Sequence, residues 1–273
     1  MALRASSMLF CRQRPMQVIP KLSSSTLWKY PQLKSAGTPT AVSCLRNVHD
    51  EVLSQQPAHK KLYEMRTYSI KPASFLDFVN LVNEKIHIRR QHSKLVGFWA
   101  AEMGAFNQVV HIWEYESYAA RQAVRAAVNA DEKWQTEVMS KVRPMLNVMD
   151  LVALKLLPWK PLQDKPFKEG GVYELRQYVM KPGRAEDMKS RILLRDEAYT
   201  KLDCGKLIGA FLGEIGHINT LYHLYSWESA DKRVMARDAV LEMDAFKNLP
   251  VCDALTPQME TKIMLPLPFS PLR

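Results

Sequence analysis

Tyr63-Glu64-Met65-Arg66-Thr67-Tyr68, followed by Lys71-Pro72, returns in the same chain as Tyr173-Glu174-Leu175-Arg176-Gln177-Tyr178, followed by Lys181-Pro182. Lys94-Leu95-Val96-Gly97 returns as Lys206-Leu207-Ile208-Gly209, and the run from Asn107 to Ser117 returns as Asn219 to Ser229. The first pair of segments lies 110 positions apart and the others 112, so the second copy carries about two extra residues in between. A period this long is not a short-period solenoid; it is one folded domain written twice.

Each copy reads as a series of elements. Residues 62–70 alternate as a strand does, and Lys71-Pro72 stops that strand and opens a helix with proline in its first turn. Phe75, Phe78, Val79, Val82 and Ile86 recur at three- and four-residue spacing, an amphipathic helix whose stripe Ala185, Met188 and Ile192 repeat. Two strands follow, about 94–103 and 107–116, joined by a turn at Gly104. Ser117, and Ser229 in the second copy, sit where a helix N-cap belongs. A second helical segment containing Trp134 and a last apolar strand, 147–157, complete the order β-α-β-β-α-β. The expected fold class is therefore α+β: two tandem ferredoxin-like domains, 61–160 and 171–271, joined by a stiff Pro-rich bridge, 161–170. One four-stranded sheet with helices on one side leaves an apolar face bare. A second copy covers it, forming a barrel of the dimeric α/β type. The cover comes either from within the chain or from a homo-oligomer through the sheet faces.

The net charge of +10 belongs to the front of the chain. Seven basic residues and no acidic one precede Asp50, and the remainder holds 31 basic against 28 acidic residues. The folded part is nearly neutral, which argues against nucleic-acid binding. The acid-free, Arg-bearing, Ser/Thr-rich residues 1–58 have the composition of a mitochondrial transit peptide and linker, with the matrix as the expected destination. No window approaches the ~20 apolar residues of a transmembrane helix. Cys11, Cys44, Cys204 and Cys252 form no CxxC, so neither a disulfide framework nor a zinc site is expected.

The Tyr-Glu-(Leu/Met)-Arg-x-Tyr strand with its Lys-Pro stop, the Gly-punctuated hairpin and the Glu-Ser helix boundary resemble the NipSnap family, most closely its homolog 3 type. The likeness covers about 61–271. It implies tandem domains of the dimeric α-β barrel superfamily and a mitochondrial address. It also implies a role in mitochondrial quality control, including mitophagy, and in vesicle-related trafficking, with mitochondrial proteins and autophagy-related adaptors as partners. No catalytic residues carry over from it. Copy one has Trp113-Glu114-Tyr115-Glu116 where copy two has Tyr225-Ser226-Trp227-Glu228, so the two copies are not expected to play equal roles.

Strand alternation puts Glu64, Arg66 and Tyr68 on one face, and Glu174, Arg176 and Tyr178 likewise. Each Glu-Arg pair reads first as a structural ion pair, and second as part of a polar barrel interior that binds an anionic or carbonyl-bearing ligand. His111 and His223 lie mid-strand among aromatics. They are either hydrogen-bonded core residues or ligand contacts able to act near neutral pH. His87 and His92 are five apart, the wrong spacing for a helical metal pair. There is no nucleotide-binding glycine loop and no nucleophile elbow, and no cofactor is called for. Trp159-Lys160-Pro161-Leu162 has the aromatic-x-x-aliphatic form that adaptor grooves read by strand addition, with Trp159 and Leu162 as anchors. The leading functional expectation is a non-catalytic mitochondrial interaction scaffold. The alternative is a small-ligand-binding protein or cofactor-free, oxygenase-like enzyme using the barrel interior.

Overall fold

The computed structural model describes residues 61–249 and 255–273. The leader 1–58 and Cys11, Cys44 and Cys252 lie outside the described residues. Strand β1 (Leu62–Ile70) enters a 3₁₀ turn at Pro72–Ser74 and helix α1 (Phe75–Arg90). Strands β2 (Lys94–Met103) and β3 (Gln108–Tyr115) form the hairpin. Helix α2 (Tyr118–Ala130), a π-helical turn (Trp134–Met139) and β4 (Leu146–Leu156) complete the first repeat. The second repeat runs β5 (Val172–Val179), α3 (Lys189–Lys201), β6 (Gly205–Ile215), β7 (Thr220–Trp227), α4 (Ala230–Glu242) and β8 (Gln258–Pro266).

Local chemistry sets these boundaries. Ser117 caps α2 by accepting from the Ala120 amide at 3.1 Å, and Ser229 caps α4 from Lys232 at 3.2 Å. The segment after α2 does not continue as one helix. Asp131 breaks it, accepting from the Trp134 amide at 3.0 Å and pairing with His92 at 2.7 Å. The hairpin turn needs Gly104, which has φ +85 and lies so close to β8 that a Cβ would sit 2.4 Å from the Thr261 carbonyl oxygen.

The eight strands close into one barrel in the order β1-β3-β2-β8-β5-β7-β6-β4. Every neighbouring pair is antiparallel, and β2–β8 and β4–β6 join the repeats. The barrel therefore closes within the chain. Of the two expected covers this is the one within the chain: each apolar face is covered by the other repeat and none is left for a homo-oligomer through the sheet faces. Tyr63, Met65, Trp99, Ile112, Tyr173, Phe211, Tyr222 and Met264, from both repeats, form the apolar interior. The opposite faces pack under the helices in two further cores, one per repeat.

The repeat exits cross over. After β4, the Leu157 amide donates to Ala210 and the Gln163 amide to Ile208, both at 2.9 Å. After β8, the Leu267 amide donates to Phe98 at 3.0 Å, and Leu272 joins the barrel interior. A fragment limited to residues 61–166 leaves Tyr63, Met65 and Trp99 facing water. It is expected to self-associate or lose structure in sedimentation and circular dichroism measurements, and a folded monomer would contradict this architecture.

Candidate functional site

The polar stripe of β1 does not face the barrel interior. Glu64, Arg66 and Tyr68 alternate with Tyr63 and Met65, and it is the apolar set that turns inward. Two sheets closed face to face leave no water to solvate a charge, so the charged face is the one beneath the helices. This corrects the reading of Arg66, His111, Arg176 and His223 as lining a polar barrel interior. It also corrects the enzyme or ligand reading that used that interior, because aromatic and aliphatic side chains fill it.

On the outer face the Glu-Arg pairs are real. Arg66 Nε donates to Glu64 at 2.5 Å and Arg66 Nη1 to the Tyr68 hydroxyl at 3.1 Å. Arg121 from α2 takes the second Glu64 oxygen. In the second repeat, Arg176 Nε donates to Glu174 at 2.8 Å and Arg233 Nη2 at 2.5 Å. The Thr261 hydroxyl and Trp227 indole also donate to Glu174, at 2.9 and 3.2 Å. Burial alone would raise the Glu174 carboxyl, but Arg176 and Arg233 outweigh it and hold it at about 2. These carboxylates tie β1 and β5 to the helices above them.

His111 is the cross-strand partner of Arg66, as His223 is of Arg176. The imidazole of His111 stacks on Phe98, with ring centroids 4.5 Å apart and planes 8° apart. The Trp113 indole N–H donates to His111 Nδ1 at 2.7 Å. An indole N–H is only a donor, so Nδ1 must accept and Nε2 carries the proton. Burial, and then the charges of Arg66 and Arg89, push the His111 pKa well below its ordinary range, so the ring is neutral. Nε2–H is buried without a partner, and so is Arg66 Nη2. In the second repeat Tyr225 replaces Trp113, and neither nitrogen of His223 has a partner.

Arg66, Phe98, His111 and Trp113 wall a cavity of about 410 Å³ between the sheet and the helices of the first repeat, within the size range of small-molecule sites. Phe78, Val82, Phe98, Trp113, Trp134 and Val138 supply its apolar surface, and Arg66, Arg89, Arg125 and Arg143 its charge. Asp150 is the single acidic residue of the wall. Half-exposed Met149 and Leu151 on β4 place the mouth at that strand.

Sequence reading found Arg66 and His111 but missed Arg89. Its signal was present, because Arg89 continues the α1 stripe of Phe78, Val82 and Ile86, where a basic residue is out of place. Arg89 lies 4.2 Å over the Trp113 ring and donates to Ser93 Oγ at 2.7 Å and the Tyr115 hydroxyl at 3.1 Å. Its counterpart 110 positions on is Tyr199, which packs on Trp227 at 4.6 Å and Tyr225 at 5.8 Å.

The bridge anchors are not presented as a linear motif, which corrects that expectation. Trp159 is buried in the second repeat's core and its indole donates to Glu186 at 2.9 Å. Leu162 packs over Gly209 against the barrel interior. The apolar side chains that an adaptor would read are worth more folded back than exposed.

The chain matches the NIPSNAP family model twice, over residues 63–161 and 173–271. It is 34% identical over 214 residues to Protein NipSnap homolog 3A of Homo sapiens, covering 77% of this chain and 85% of that one. It is 28% identical over 211 residues to Protein NipSnap homolog of Dictyostelium discoideum, covering 76% and 88%. Among solved structures it is similar to an anthrone oxidase-like protein, with TM-score 0.53 and 9% identity over 76% of this chain and 91% of that one. That likeness is one of fold alone.

Proposed function

The chain belongs to the NIPSNAP family, and from that premise we propose that it is a mitochondrial, non-catalytic binding protein whose first repeat takes up a small molecule. The observation that carries this reading is the cavity walled by Arg66, Arg89, His111 and Trp113. The chemistry of His111 favours binding over general-base catalysis. Its one lone pair is engaged by the Trp113 indole, leaving the ring only a donor. The mitochondrial address rests on the composition of residues 1–58. Native mass spectrometry on the protein purified from mitochondria is expected to show a bound small molecule released on denaturation. A ligand-free mass, together with no hit in a thermal-shift screen, would overturn it.

A second reading is an interaction scaffold in mitochondrial quality control or vesicle-related trafficking. It is favoured by the two hairpin tips, where Phe106 is 85% and Ile218 62% exposed at equivalent positions of the two repeats. Isolated apolar side chains presented on loops suit protein contact. Fusing residues 1–58 to a fluorescent reporter should send it to the matrix, and a cytosolic reporter would remove the mitochondrial part of both readings.

A further inference from the structure

Arg89 is 3% exposed, and no carboxylate contacts it among the described residues. A buried cation without a counter-charge is costly, and its hydroxyl and indole neighbours are neutral. Beside it stand two unused donors, Arg66 Nη2 and His111 Nε2–H, both buried in the wall of the same cavity. Glu64 acts on this charge only through space, because its two oxygens are bonded to Arg66 and Arg121, which it must also neutralise. The wall of the cavity therefore carries unused donors and more cations than carboxylates, while Phe78, Val82 and Val138 make it apolar elsewhere. The second repeat keeps the Arg-His pair but has Tyr199 in place of Arg89, stacked on Tyr225 and Trp227.

We propose that the first-repeat cavity binds an amphipathic monocarboxylate, with its carboxylate held by Arg66 Nη2 and His111 Nε2–H beside Arg89 and its apolar body along the cavity flanks. This rests on the reading of that cavity as the ligand site. A carboxylate supplies two acceptor oxygens in a plane, matching a guanidinium donor and an imidazole donor at once. It also provides the negative charge that Arg89 lacks. A neutral alcohol offers a single oxygen and no charge, and an alkylammonium adds to the repulsion.

The test is to titrate the purified full-length chain with decanoate, decanol and decyltrimethylammonium, following the fluorescence of Trp113 and Trp134 in the cavity wall. Decanoate is expected to bind at least about tenfold more tightly than decanol, as hydrogen bonds to a charged group imply. Arg89→Tyr installs the residue that the second repeat already accommodates at this place. It should lower the decanoate-over-decanol preference about tenfold, whereas Arg89→Lys should keep the preference for decanoate. Equal binding of decanoate and decanol by the native chain would overturn the carboxylate assignment while leaving the cavity as a ligand site. Binding of none of the three would remove the cavity reading and this assignment together.

Discussion

Replacing Glu174 with alanine is expected to lower the unfolding free energy by about 3–5 kcal/mol, the usual cost of stripping a buried ion pair of one partner. Glu174 is fully buried and takes hydrogen bonds from Arg176, Arg233, Thr261 and Trp227. Without it two largely buried guanidinium groups lose their counter-charge, and four donors on β5, β7, β8 and α4 lose one acceptor. Denaturant unfolding with an unchanged slope would measure the loss. A change below about 1 kcal/mol would mean that water reaches the pair and that the helix does not seal it.

The same carboxylate gives the native protein an acid limb. Its folded pKa is depressed to about 2 from an ordinary value near 4.5. A depressed folded pKa means that the unfolded chain takes up the proton first, so stability rises with pH across this interval. The contribution is fully present above about 4.5 and is lost as pH falls toward about 2; it is on the order of 3 kcal/mol for this group. Urea melts of the native chain through that window should show the loss. In Glu174→Ala the slope contributed by this group should be absent.

The second large effect is expected at Trp99. Its side chain is completely buried in the barrel interior, with its ring centroid 5.3 Å from that of Tyr173 in the other repeat. Gly97 makes room for it, since a Cβ there would come 2.2 Å from the indole. Trp99→Ala should cost about 3–5 kcal/mol, because the closed sheet cannot collapse onto the vacated volume. Calorimetry should show one transition at a lower midpoint. Two separate transitions would mean that the repeats fold independently and that the interior does not couple them.

Much of the architecture was legible because period and alternation are local properties. The copies of Tyr-Glu-x-Arg-x-Tyr announced one unit written twice, and the stripes of Phe78, Val82 and Ile86 and of Met188 and Ile192 announced a helix in each. Ser117 and Ser229 marked helix starts that the structure confirms through their amide hydrogen bonds. The break at Asp131 was less legible, because it depends on His92, 39 residues away in sequence.

The site was legible only in part. Alternation grouped Glu64, Arg66 and Tyr68 on one face, but it is symmetric between faces and does not say which one turns inward. That choice was made by closure of the barrel, in which Tyr63 and Met65 meet the other repeat where water is excluded. The Trp159-Lys160-Pro161-Leu162 stretch had the spacing of a docking peptide, and tertiary packing turned both anchors inward. Arg89 mattered only once Trp113, Tyr115 and His111 were assembled around it. By itself the sequence determined the repeat, the order of elements and the family, since each is carried by residue type and spacing along the chain. The tertiary structure decided which face is dry, that the barrel closes within one chain, and where unpartnered donors and a buried cation without a contacting carboxylate share one cavity wall. Those outcomes depend on solvent exclusion between segments distant in sequence.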